Sequence, residues 1–228
     1  DHAWGWEPAT IADVKAYVPE ARSVGQGQVL AEPYEADKAR LEVSEMADAV
    51  SFDLVEKGLV CDQVVITVGY DRTNLEGARR AAAYEGAIRT DHFGRAIPHH
   101  AHGTAHLGGP TSSSSKIIAA VMGLFDEKVD ERLLVRRVNV TACNVLPEHA
   151  AMQARSRVGE QLDLFCDVEA LDRAREEDAA RDAREKRMQQ AIVEARHKFG
   201  KNAVLKGMDL REGATTVQRN AQIGGHRA

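Results

Sequence analysis

The chain holds 228 residues, enough for one sizeable hydrophobic core with appendages. A formal net charge of −5 and an aromatic content of 5% exclude a chain that is basic throughout, so any contact with nucleic acid must be local. The longest uninterrupted apolar run, Ile117 to Phe125, falls short of the roughly 20 residues that a membrane-spanning helix needs, and the three isolated cysteines Cys61, Cys143 and Cys166 fit a reducing, cytosolic setting better than a disulfide framework or a zinc site.

Residues 1–22 contain Trp4, Trp6 and Pro8, then a short helical pattern through Ile11, Val14 and Tyr17 that Pro19 stops. A piece this small reads as the end of a preceding helical domain plus a linker, and a chain opening on Asp1 reads as part of something longer. From Ser23 the pattern predicts a short strand at Gln28–Leu30 and a long helix from about Tyr34 to Gly58. Ala39, Val43, Met46, Val50 and Leu54 lay an apolar stripe along that helix, and its other face is acidic, with Glu35, Asp37, Glu42, Glu45, Asp48 and Asp53. These carboxylates read as a solvated surface. Alternation predicts a strand over Gln63–Tyr70, and the arms Ala87–Thr90 and Arg95–Pro98 around Phe93-Gly94 predict a hairpin. A strand at Thr104–Leu107, a Ser-capped helix with Ile117, Ile118, Val121, Met122, Phe125 and Val129 on one stripe, and a strand within Leu134–Val145 complete the unit.

The predicted fold class is therefore α+β: a βαββαβ unit over residues 23–146, forming a four-stranded antiparallel sheet with two helices on one face in a split-βαβ arrangement, plus a long C-terminal helix and tail. The opposite sheet face is left open. Between Gln63 and Lys116 the balance turns basic, with Arg72, Arg79, Arg80, Arg89, Arg95 and Lys116, and the last strand adds Arg136 and Arg137. A domain acidic on its helical side and basic on its sheet side can lie on a phosphate backbone; the competing reading, of equal weight, is arginines solvated in loops and edges. Residues 147–166 read as a linker, flexible over 148–160, leading to the apolar pentapeptide Gln161-Leu162-Asp163-Leu164-Phe165. Residues 167–199 read as a charged helix, solvated or loosely docked, and 200–228 as a tail that is disordered or packs only with a partner.

Motifs for catalysis are missing: there is no Gly-x-Ser-x-Gly, Walker loop, His-Glu-x-x-His or Cys-x-x-Cys. His92, His99, His100, His102 and His106 cluster in sequence, but no cysteine or carboxylate stands among the last three, so polar residues of an open sheet face outweigh a metal site. The pentapeptide places Leu162, Leu164 and Phe165 where a solvated loop would avoid them; docking of the last two in a partner's pocket contributes roughly 1.5–3 kcal/mol each, enough for about micromolar binding. Folding back onto its own domain is the alternative.

Gln161–Phe165 resembles the peptide by which bacterial polymerases and repair proteins bind the sliding clamp. The preceding unit, with Gly27-Gln28-Val29-Leu30 and Leu134-Val135-Arg136-Arg137-Val138, resembles the little finger of Y-family translesion DNA polymerases. Trp4-Gly5-Trp6-Glu7-Pro8, His102-Gly103-Thr104-Ala105 and the stretches Lys198–Gly207 and Gln222–His226 are similar to the UmuC/ImpB/MucB-type branch, with its DNA polymerase IV-like repair proteins. The resemblance implies a sheet laid along primer-template DNA, with Thr104, His106, Lys116, Arg136 and Arg137 as phosphate contacts, and Gln161, Leu162, Asp163, Leu164 and Phe165 as contacts to the clamp, the DNA polymerase III beta subunit. It implies DNA repair and damage tolerance of the SOS type, a cytoplasmic, nucleoid-associated place and no membrane. Residues 1–22 would end the thumb. The family's Mg2+ and catalytic carboxylates would belong to a palm upstream, so this chain would bind no cofactor and would not polymerise alone. Its acidity implies modest, salt-dependent DNA affinity, for which the clamp compensates through effective concentration. Two rivals remain: a ferredoxin-like RNA-binding module, disfavoured by the lack of aromatics in Gln63–Val68 and Thr104–Leu107, and a coiled-coil interaction protein, disfavoured by the lack of sustained heptads between Leu171 and Phe199.

Overall fold

Period-two alternation gives four long strands, β1 (Val24–Tyr34), β2 (Leu59–Tyr70), β5 (Ala101–Thr111) and β6 (Val135–Cys143), in the computed structural model, which describes residues 8–17, 22–76, 84–155, 168–223 and 226–227. They pair antiparallel in the order β1-β6-β2-β5, and a short β7 (Leu146–Pro147) adds to the end of β2. Helix α2 (Ala36–Glu56) joins β1 to β2 with β6 lying between them, and α3 (Ser114–Lys128) joins β5 to β6 with β2 between. Both connections are thus split βαβ units, as the sequence predicts. The central strands are β6 and β2, whereas β5 is an edge. A short helix, α1 (Ile11–Ala16), precedes the sheet and buries no residue.

The core lies between one sheet face and the two helices. Val64, Ile66 and Val68 from β2 and Val138, Val140 and Ala142 from β6 meet Ala39, Val43, Met46, Val50 and Leu54 of α2 and Ile117, Val121 and Phe125 of α3, all buried. Each fully buried Val, Leu or Ile contributes about 1.5–3 kcal/mol, which makes this contact the main stabilising term. Gly103 sets how closely α3 approaches β5, because a Cβ there would lie 3.0 Å from Leu124 Cδ2 and 3.2 Å from Lys128 Cγ. Gly58, with φ of +63°, turns the chain out of α2 into β2.

After residue 147 the long charged helix is present as expected, whereas the linker and the tail depart from the sequence reading. Residues 148–155, predicted as flexible linker, form α4 (Glu148–Arg155), with Ala151 buried. Helix α5 (Val168–Phe199) docks through polar groups, which is why its apolar stripe is so sparse. Gln189, almost fully buried, donates to the Ser112 carbonyl at 3.1 Å, and Glu185 accepts from Ser113 Oγ at 2.7 Å and from the Ser115 amide at 2.8 Å. Those bonds hold the Glu185 carboxyl below its ordinary range, although burial opposes them.

The tail is ordered across residues 200–223. A 3-10 turn (Gly207–Leu210) and α6 (Thr216–Asn220) return the chain to α2, and β8 (Gln222–Ile223) pairs antiparallel with β9 (His226–Arg227). The acidic face of α2 is what it covers. Glu42, Glu45 and Asp48 are no more than 4% exposed. Thr215 donates its amide to Glu45 at 2.8 Å and its hydroxyl to Glu42 at 2.5 Å, Arg219 pairs with Glu42 at 3.0 Å, and Lys206 pairs with Asp48 at 2.6 Å. The expectation that these carboxylates are solvated is therefore overturned: buried charges must be paired, and residues 206–219 supply the partners.

Candidate nucleic-acid interface

Facing away from both helices, the sheet presents one polar surface whose rows follow from the register. Gly25, Thr141, Val65 and Thr104 form one row across the strands; Gly27, Asn139, Thr67 and His102 form the next. Val29, Arg137 and Gly69 flank these on one side, and Cys143, Gln63 and His106 on the other. No Asp or Glu occupies any of these positions. The seven residues from Gln63 to Gly69 span about 20 Å, and four strands span about 14 Å, so the face can follow the roughly 12 Å major groove of B-DNA with its walls of phosphate. Gly25 and Gly27 keep it smooth at the β1 edge, since Cβ atoms there would lie 2.8 Å from Thr141 Oγ1 and 3.0 Å from Asn139 Nδ2.

The structure distributes the predicted phosphate contacts unequally. Thr104 and His106 stand exposed on β5, and Arg137 is exposed at the far end of β6, so these three share the open face. Arg136 falls at an irregularity in β6, where the pairing of β6 with both β1 and β2 skips it. Its guanidinium donates to the Ala31 carbonyl at 3.1 Å and lies 3.8 Å from Asp71, which divides it between tying β1 to β6 and facing outward. Lys116 is not on the sheet side. It lies on α3, where Asp178 at 2.8 Å and Asp182 at 2.6 Å hold its ammonium and keep its pKa raised despite the opposing effect of burial. The Ser-rich N-cap puts Lys116 in the first turn of a helix, a position the sequence placed next to the strand arginines only by proximity in number. Gln161, Leu162, Asp163, Leu164 and Phe165 lie outside the described residues, as do Arg79 and Arg80.

Beyond the Arg137 end of the face lies a cleft of about 680 Å³ that the sequence did not reveal as a unit. One wall is the predicted hairpin, β3 (Ile88–Thr90) with β4 (Ala96–Pro98), which packs on a 3-10 turn (Arg72–Leu75); the other is the ends of β2 and β6. Asn74 fixes that turn by clasping Leu134 through two hydrogen bonds of 2.8 and 2.9 Å. Arg72, Arg89, Arg95, Arg136 and Arg137 line the cleft, against only Asp71 and Asp91. Both carboxylates are engaged. Asp91 takes the Arg95 guanidinium at 2.7 Å, whose hydrogen bonds depress its pKa, and Asp71 accepts from the Thr73 amide and hydroxyl.

The acidic outer face expected of α2 is in part not exposed, since Glu42, Glu45 and Asp48 are buried beneath the tail, while among the described residues Arg137 on the sheet face and Arg89 in the cleft carry no ion pair. Of the clustered histidines, His102 and His106 stand on the open sheet face, whereas His92 lies in the β3–β4 turn and His99 and His100 between β4 and β5. His102 Nδ1 lies 3.1 Å from Thr67 Oγ1, His99 stacks on His100 at 4.4 Å, and burial, with His99, Arg89 and His102 nearby, pushes the His100 pKa down. Among the described residues no three His, Cys, Asp or Glu side chains are grouped to hold a metal ion, and no helix is long and apolar enough to cross a membrane. Neither central strand puts an aromatic residue on the open face, where Gln63, Val65, Thr67 and Gly69 face Cys143, Thr141, Asn139 and Arg137. A base-stacking sheet of the RNA-recognition kind needs such rings.

Residues 21–156 match the model of the impB/mucB/samB family C-terminal domain. A solved structure, the "Complex of beta-clamp processivity factor and little finger domain of PolIV", aligns with a TM-score of 0.37 and 13% identity, covering 64% of this chain and 100% of that one. A search of curated proteins gave no match.

Proposed function

Because the chain belongs to the impB/mucB/samB family and carries that family's C-terminal domain over residues 21–156, we propose that this domain is a little finger whose open sheet face holds primer-template DNA by its sugar-phosphate backbone while Gln161–Phe165 recruits the protein to the sliding clamp. The observation that carries the DNA part is the absence of carboxylates from every register-paired outward position, together with Arg137, Thr104 and His106 there. Backbone contacts of this kind fix orientation without reading bases, which suits synthesis across damaged templates. Lys116 drops out of the contact set, since its two aspartates already neutralise it. In this reading nucleotidyl transfer and its Mg2+ belong to a palm domain, while the sheet face grips and Gln161–Phe165 recruits.

Arg137→Ala tests the grip. Affinity for duplex DNA should fall equally for unrelated sequences, and the slope of log K against log salt should shallow by about 0.9, the share of one lost phosphate contact. A loss confined to particular sequences, or none, refutes the sheet assignment. For recruitment, a peptide spanning 157–168 should bind a bacterial sliding clamp and lose that binding when Leu164 and Phe165 become Ala; a wild-type peptide that fails to bind refutes it.

A further inference from the structure

We propose that the tip of the β3–β4 hairpin is a stacking subsite for an unpaired base of single-stranded nucleic acid that leaves the duplex through the arginine cleft, an inference that rests on the sheet-face reading above. Phe93 is 76% exposed, more than any other aromatic residue of the folded unit. The turn also holds the ring in a defined attitude. Gly94, with φ of +76°, lets the chain reverse, and Asp91 Oδ1 accepts from the amides of both Phe93 and Arg95 at 2.9 Å. The Arg95 guanidinium sits 4.8 Å from the ring centroid, and the His92 ring meets it edge-on at 5.3 Å. An exposed ring on a locked turn, backed by a guanidinium, offers an oriented π-face at low entropic cost.

The cleft beside it supplies the matching charge. Phe93 lines the same 680 Å³ space as the five arginines, and among the described residues Arg89 and Arg137 carry no ion pair. Gly69 and Arg137 belong both to this cleft and to the outermost row of the sheet face, so the two surfaces are continuous. A backbone running off the sheet past Arg137 would pass the remaining arginines and bring one base over Phe93. The ligand class is therefore a phosphodiester strand with an unstacked base. A duplex cannot satisfy the ring, because its bases are already stacked, and stacking asks for no particular sequence since every base has a π-face.

The experiment compares the full chain and its Phe93→Ala and Phe93→Trp variants on two ligands by fluorescence anisotropy: a blunt duplex, and the same duplex with a single-stranded template extension. Wild type should bind the extended ligand more tightly. Phe93→Ala should lose that increment, a drop of roughly five- to hundredfold, with blunt-duplex binding unchanged. Phe93→Trp should retain it. Equal affinity of wild type and Phe93→Ala for the extended ligand, with blunt-duplex binding intact, overturns the hairpin inference alone. Wild type that ignores blunt duplex yet binds the extended ligand through Phe93 overturns the sheet reading while the hairpin site stands. Because the side chain is mostly in water and touches little besides Arg95 and His92, its removal leaves the fold in place, and an unchanged circular dichroism spectrum and melting curve verify this.

Discussion

Glu42 should make this protein less stable as pH rises, and replacing it with Gln should remove that dependence. Its side chain is fully buried on α2, where desolvation pushes its pKa from 4.5 up to about 7, against the pull of Arg219 and Thr215 and with the help of neighbouring Glu45. A carboxyl whose folded pKa lies above its unfolded one binds more protons in the folded state between the two values, so stability falls as pH climbs from 4.5 through 7. At about 1.4 kcal/mol per pH unit the full effect is on the order of 3 kcal/mol, of which roughly 2–3 kcal/mol should appear between about pH 5 and about pH 8. Urea unfolding of wild type and Glu42→Gln at both pH values measures it, since the difference between the two chains cancels every other titrating group. Wild type should lose those 2–3 kcal/mol relative to the variant. Parallel pH profiles would refute the reasoning, because they would mean that the carboxylate is not desolvated beneath residues 215–219. Arg219→Ala provides the complementary arm: without the guanidinium at 3.0 Å, the steep region should move to higher pH.

Gly103→Ala should destabilise the fold by about 1–3 kcal/mol, as its methyl would press on Leu124 and Lys128 of α3; an unchanged unfolding midpoint would show that the helix yields without cost. Cys61, fully buried with its thiol pushed up to about 12 by burial and by Asp62, should resist alkylation in the native protein while half-buried Cys143 reacts faster. Mass spectrometry after timed iodoacetamide treatment checks this, and equal rates at both sites would contradict the packing of β2.

The alternation in Gln63–Tyr70 and the stripe from Ala39 to Leu54 were enough to read the βαββαβ unit, because in both cases the residues that face the core differ chemically from those that do not. The hairpin around Phe93-Gly94 was legible for a related reason, a glycine at the turn position whose φ is +76°. What sequence concealed were contacts between distant segments. Nothing local distinguishes Glu42, covered by Thr215 and Arg219, from Asp37, which remains outside, because the covering residues lie some 170 positions away. Lys116 looked like part of a basic cluster for the same reason: its partners Asp178 and Asp182 come from a helix whose composition suggested solvation or loose docking and named no contact. Arg137, Thr104 and His106 fell on one face because strand parity is readable, whereas the arginine cleft depends on how the hairpin folds back on Arg72–Leu75, and parity says nothing about that.

The return of residues 206–219 to α2 also orders events on the ribosome. Helices α2 and α3 and all four long strands precede Lys206 and Arg219 in the chain, so during synthesis there is an interval in which Glu42, Glu45 and Asp48 lack those partners and repel one another along two helical turns. In that interval α2 lacks the partners of its carboxylates, and it takes its finished place only once residues 206–219 reach it.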